Sequence, residues 1–241
     1  MGVEKEMREF LSGTGVTLTY IILAAGIMLT ARKLLTIPDE LFRKILHFIL
    51  LGAYIPFLFA FETWWIAASL AFILILVIYP ALMLAEHIPG FSAFVNERKH
   101  GEYKYSMVLA LGTMVTSICV CWGLFHDRWL VLACVYAWGV GDAFAALVGK
   151  RFGRHKLRIP FADPCKSVEG TAAMFVASAI SVFTVLMLRG GMGVGGCAVT
   201  AAAAAAVSAF VELCTRGGYD TFTCPAAAML VVLPLSHLLG G

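Results

Sequence analysis

The chain has 241 residues, of which 61% are hydrophobic and only 14% charged, with a mean hydropathy of +0.88. A soluble domain is ordinarily about 45–50% apolar and about 25% charged, and one core cannot hide such an excess because surface grows too fast with size. These figures exclude an ordinary soluble enzyme, a disordered chain and a secreted disulfide scaffold, and leave an all-α, polytopic membrane protein. The net charge of +3 gives no reason to expect a nucleic-acid partner.

In chain order, the N-terminus comes first, with Glu4, Glu6 and Glu9. This acidity, without a cleavage site, argues against a signal peptide. The charges then cut the chain into uncharged runs, each near the ~20 residues that cross a hydrocarbon core as a helix. About eight helices are predicted, over 14–31, 45–61, 64–85, 106–125, 129–148, 168–188, 194–214 and 221–239. The runs are continuously apolar rather than alternating, which disfavours a β-barrel. Five glycines between 190 and 196 precede the seventh helix, and Ala201 to Ala206 form an unbroken run within it. Such a surface lets neighbouring helices approach closely. Seven cysteines sit mostly inside apolar runs, where Cys acts as a small hydrophobe, and no Cys-x-x-Cys pair exists. No repeat or linker stands out, so residues 1–241 read as one domain.

Of the 18 Lys and Arg, 14 fall in the loops after helices one, three, five and seven, among them Arg98, Lys99 and Arg158. Lys5, Arg8, Arg128 and Arg189 fall on the other side. The asymmetry predicts that the first set of loops is cytosolic and that both termini face out.

Ionisable groups within membrane helices are costly and mark function. His47, Asp142, Glu169 and Glu212 are of this kind, and all are predicted near cytosolic helix ends, with Asp220 in the short loop beyond. The loop from 150 to 167 is the most cationic, with six Lys and Arg. Headgroup anchoring would explain such charge. Its second half points to chemistry as well: Ser167 is a candidate N-cap, so free N–H groups beside Lys166 and the small Gly170 suit a phosphate. Glu169 would share a divalent cation with Asp142, since carboxylates and substrate phosphates are the usual ligands of Mg²⁺. Neither a Walker A sequence nor the protein-kinase signatures are present.

Three segments carry a resemblance: Arg43-Lys44-Ile45-Leu46-His47, the stretch from Gly141-Asp142-Ala143-Phe144 through Gly149-Lys150-Arg151-Phe152-Gly153-Arg154-His155-Lys156, and Lys166-Ser167-Val168-Glu169-Gly170-Thr171. Together they resemble the polyprenol kinase family, which includes dolichol kinases, phytol kinases and CTP-dependent diacylglycerol kinases and is related to phosphatidate cytidylyltransferases. Glu212, Gly218, Asp220 and Pro225 resemble a later segment of that family, with Thr221 where Asn is usual. The resemblance spans about residues 40–230.

It implies an integral membrane kinase that phosphorylates a lipid alcohol (a polyprenol, phytol or diacylglycerol) with CTP or another nucleoside triphosphate and Mg²⁺. Asp142 and Glu169 would bind the metal, one of them being a candidate base. Lys150, Lys156 and Lys166 would hold the triphosphate, together with Gly149, His155, Ser167 and Gly170. Arg43 and Lys44 would clamp the transferred phosphate, and His47, Glu212 and Asp220 would support the site or serve as base. A cytidylyltransferase ranks second, because its denser Asp-x-x-Asp-Arg ending after Gly-Asp is lacking. A transporter or a lipid-binding scaffold would be rivals of another class, but transporter sites lie near the midplane at broken helices.

Overall fold

The computed structural model describes residues 2–87, 101–157 and 166–240. Arg98, Lys99, Arg158 and Cys165 lie outside these residues. Among the described residues there are eight long helices and no strand. All eight are long and apolar enough to cross a membrane, the fourth together with the π-helical stretch that continues it as Lys104–Leu124, as expected of a multi-pass membrane protein. The chain divides into two compact units, one up to Cys119 and one from Val120.

The first unit holds α1 (Gly2–Leu34), α2 (Asp39–Ala60), α3 (Trp64–Ala85) and α4 (Glu102–Ser117). Helix α1 is longer than predicted, because charge bars a residue from the hydrocarbon but not from a helix; Arg8 and Glu4 pair one turn apart at its start. The N-terminus of α3 takes its cap from another helix: Glu9 of α1 accepts hydrogen bonds from the backbone N–H of Glu62 at 2.9 Å and of Thr63 at 2.8 Å. Tyr20 on α1 donates to the carbonyl of Ile49 on α2 at 3.2 Å, and Lys104 ties α4 to Glu86 just beyond α3 at 2.9 Å. Pro56 and Pro80 lie inside α2 and α3, where membrane helices tolerate them.

A π-helical stretch, Ile118–Leu124, continues α4 and carries the chain into the second unit. It leads to α5 (Arg128–Phe152), α6 (Val168–Arg189), α7 (Val194–Cys214) and α8 (Asp220–Gly240). Short connections make consecutive helices antiparallel; Gly190 and Gly191 turn one of them and Gly217 and Gly218 another, all four with positive φ. Every residue from Leu130 to Val135 is buried, so α5 is covered all round and forms the centre of the unit. On α7 the alanine run supplies Ala201, Ala204 and Ala205 to the core, with Ser208 and Ala209 following. Gly141 on α5 packs against Ser178 and Met174 of α6, and Ser178 donates to the carbonyl of Ala137 at 2.5 Å.

Candidate active site

The antiparallel order brings the ends of α5 and α7 and the starts of α6 and α8 to one end of the second unit. Most of the acidic and basic groups singled out in the sequence gather there. Helix α5 runs past its predicted end, so Lys150 and Arg151 are helical, in the last turn, where cations suit the carbonyl end of the macrodipole. The chain is then pinned to the start of α6. Leu157 N–H donates to the carbonyl of Lys166 at 3.1 Å, and Val168 N–H to that of His155 at 3.0 Å. Lys156 and Ser167 face each other in this short antiparallel bridge.

Ser167 caps α6 as the sequence predicts, its hydroxyl accepting from Gly170 N–H at 3.2 Å. The glycines around it have a packing role. A Cβ on Gly170 would stand 3.0 Å from the carbonyl of Ala145 and 3.3 Å from Cα of Gly149, and one on Gly149 would stand 3.4 Å from Ser167 Oγ. The space expected to cradle phosphate at Gly149, Ser167 and Gly170 is therefore filled by the close approach of α5 and α6, and Ser167 itself is buried.

Lys166 reaches across to the end of α7. Its Nζ donates to the carbonyl of Glu212 and, at 3.2 Å, to that of Thr215, and pairs with Glu212 Oε1 at 3.1 Å. An ammonium has three donors, and here all three have acceptors. It satisfies the Thr215 carbonyl just past the end of α7, adds a second donor to the Glu212 carbonyl that already accepts from Thr215 N–H, and neutralises Glu212. To serve as the triphosphate ligand expected from sequence, Lys166 would have to release part of this clamp.

Glu169 turns toward the loop. Its Oε1 meets His155 Nδ1 at 2.7 Å, and its two oxygens accept from His155 N–H at 3.2 and 3.3 Å. The carboxylate thereby fixes the orientation of an exposed imidazole. Asp142 keeps other company. It lies on α5, which packs against α7, the helix of Glu212, and against α8, the helix of Asp220. Trp138, one turn before Asp142, donates its indole N–H to Asp220 Oδ2 at 3.1 Å. Glu169 is thus engaged by His155, while Trp138 links the helix of Asp142 to Asp220. The reason is local: the first-turn carboxylate of α6 finds the N–H groups of the 155 loop nearer than α5.

Sequence reasoning missed Trp138 and Thr215. For Trp138 a signal existed, because it precedes Asp142 by four residues on the same helix face. Thr215 acts through its backbone, which leaves no trace in residue type. Lys150 and Lys156 are exposed beside His155. Arg43, Lys44 and His47 belong to α2 in the first unit: Arg43 pairs with Glu40 at 2.7 Å, and Lys44 is buried.

Among the described residues, no group of three or more His, Cys, Asp or Glu is arranged to hold a metal ion by itself. The donor chemistry still suits Mg²⁺, which takes one or two carboxylates and fills the rest of its shell with phosphate and water. Asp142 and Asp220 offer hard oxygen donors of that kind.

Residues 9–233 match the model of the cytidylyltransferase family. The chain belongs to that family. It is also similar to phytol kinase of Synechocystis sp., at 30% identity over 259 aligned positions that cover 99% of each protein. No solved structure matches it. The two matches support the resemblance to the polyprenol kinases carried by the segments around Arg43, Asp142 and Lys166.

Proposed function

We propose that the protein is a lipid-alcohol kinase that transfers the γ-phosphoryl group of CTP, or of another nucleoside triphosphate, to a membrane alcohol, with phytol the first candidate. The observation that carries this reading is the end-to-end similarity to phytol kinase. The geometry agrees with it, since surplus carboxylates and exposed cations stand together at one end of a membrane bundle, where a soluble nucleotide can meet a hydroxyl held at the lipid interface.

In this reaction the alcohol oxygen bonds to the γ-phosphorus, the bond from that phosphorus to the bridging oxygen breaks, and the nucleoside diphosphate leaves. The hydroxyl proton passes to a carboxylate, for which Asp142 and Asp220 are the candidates. Phosphoryl transfer needs positioning and charge stabilisation above all. A bound Mg²⁺ would supply neutralisation of the β- and γ-phosphates, held by Asp142 and Asp220. Lys150, Lys156 and the His155 imidazole would take the remaining phosphate charge. Lys166 and Glu212 keep the end of α7, and so the start of α8, in place. The cation asymmetry favours a cytosolic site and external termini; cysteine labelling at positions 156 and 189 from opposite sides of the membrane tests this, and labelling of both from one side would overturn it.

The family match also favours a second reading, transfer of a cytidylyl group to a lipid phosphate with release of pyrophosphate. Purified protein is incubated with CTP labelled at the γ- or the α-phosphate and with phytol, a polyprenol, diacylglycerol or phosphatidate. Label from the γ-position in an alcohol supports the kinase. Label from the α-position in phosphatidate, with none in any alcohol, overturns it in favour of CDP-lipid synthesis.

A further inference from the structure

Trp138 is only 6% exposed, and its indole N–H is its single polar side-chain group. A buried indole N–H ordinarily finds an acceptor. The acceptor here is a carboxylate, Asp220 Oδ2 on the first residue of α8, 3.1 Å away. Residues four apart share a helix face, so α5 brings both this donor and the Asp142 carboxylate toward the start of α8. Asp220 stands two residues beyond a glycine turn, Gly217–Gly218, with positive φ at both residues. An unrestrained carboxylate there has an easy way out of the site.

We propose that Trp138 is a positioning residue: its N–H, one turn from Asp142 on α5, fixes the orientation of the Asp220 carboxylate at the start of α8. The proposal rests on the lipid-alcohol kinase reading. A hydrogen bond to a charged group contributes about 1.5–3 kcal/mol, so losing it should cost about tenfold or more in any quantity that depends on Asp220.

Wild type, Trp138→Phe, Asp220→Asn and the double variant are purified in detergent and compared with γ-labelled CTP and the alcohol that the wild type accepts. Trp138→Phe keeps the apolar ring and removes the donor. It should lower kcat about tenfold, leave KM for the lipid alcohol unchanged, and raise the Mg²⁺ concentration at half-maximal rate. The double variant should be no slower than Asp220→Asn, because Trp138 acts through Asp220. The rise in unfolding midpoint produced by Mg²⁺ with CTP should shrink in Trp138→Phe, a readout independent of turnover. If the Phe variant folds poorly, the half-maximal Mg²⁺ concentration still decides, since it does not depend on the folded fraction. Wild-type turnover and Mg²⁺ dependence in Trp138→Phe, beside an impaired Asp220→Asn, would overturn the positioning role. So would additive losses in the double variant. A wild type that labels no alcohol, or a fully active Asp220→Asn, would instead bring down the kinase reading or the role of Asp220 within it.

Discussion

At the Asp127 end of the second unit, one carboxylate meets one guanidinium. Asp127 caps α5 by accepting from Trp129 N–H at 2.8 Å and pairs with Arg189 at the end of α6 at 2.5 Å. At the opposite end of the same helices, Lys166 clamps the α7 terminus and pairs with Glu212, while Trp138 holds Asp220. Both ends close helix termini with charged side chains. The first is a helix cap that also pairs with a helix-end cation; the second adds two further, partly buried carboxylates, Asp142 and Asp220, which a fold needing only closure would not keep. The contrast sets residues that close helix ends beside the carboxylates that the proposed reaction would use.

The sharpest way to test this contrast is to neutralise the surplus. Asp142→Asn and Asp220→Asn should each cost about a hundredfold or more in turnover, with an unfolding midpoint close to wild type; labelled lipid product and thermal unfolding in detergent measure the two. Near wild-type turnover in both would make the acid end as structural as the other. Next comes Lys166→Ala, which leaves Glu212 without its partner and α7 without its clamp. A loss of about 3 kcal/mol of stability is expected from breaking a largely buried pair, with KM for the nucleotide changed less than kcat per folded molecule. A large KM effect with intact stability would restore Lys166 to the phosphates.

The His155–Glu169 pair should matter less. Glu169→Gln and His155→Ala should each raise KM for the nucleotide about threefold, and the double variant should be no worse than either single one; initial rates across nucleotide concentrations check this. The smallest effect on catalysis is expected at the far end. Asp127→Ala, which removes both the cap and the pair with Arg189, should lower stability by about 1 kcal/mol and leave turnover per folded molecule unchanged. A loss of turnover there rivalling that of Asp142→Asn would erase the difference between the two ends.

Much of this was legible in the sequence. Hydrocarbon excludes charge, so the gaps between charged residues marked the spans, and Trp64–Ala85 and Val194–Cys214 begin and end where those gaps predict. Ser167 was legible as a cap because capping is local chemistry. Contacts between helices were not. That Glu9 closes α3, that Lys166 reaches Thr215, and that Glu169 turns to His155 rather than Asp142 depend on which helix ends meet. A linear pattern of apolar residues does not encode that meeting. Gly149 and Gly170 are instructive in the same way: small residues beside cations read as a phosphate cradle, while the backbone uses them to bring two helices together.

The π-helical stretch from Ile118 to Leu124 has a consequence of another kind. A π turn accommodates one residue more than an α turn, and here Phe125 N–H bonds five residues back to Val120. Removing one residue within Ile118–Leu124 would let the stretch relax into ordinary α-helix while the flanking side chains keep their facing. The same deletion in the middle of α5 would rotate everything beyond it by about 100°. This short segment is therefore the place in the helical scaffold where chain length can change by one without scrambling which side chains face inward.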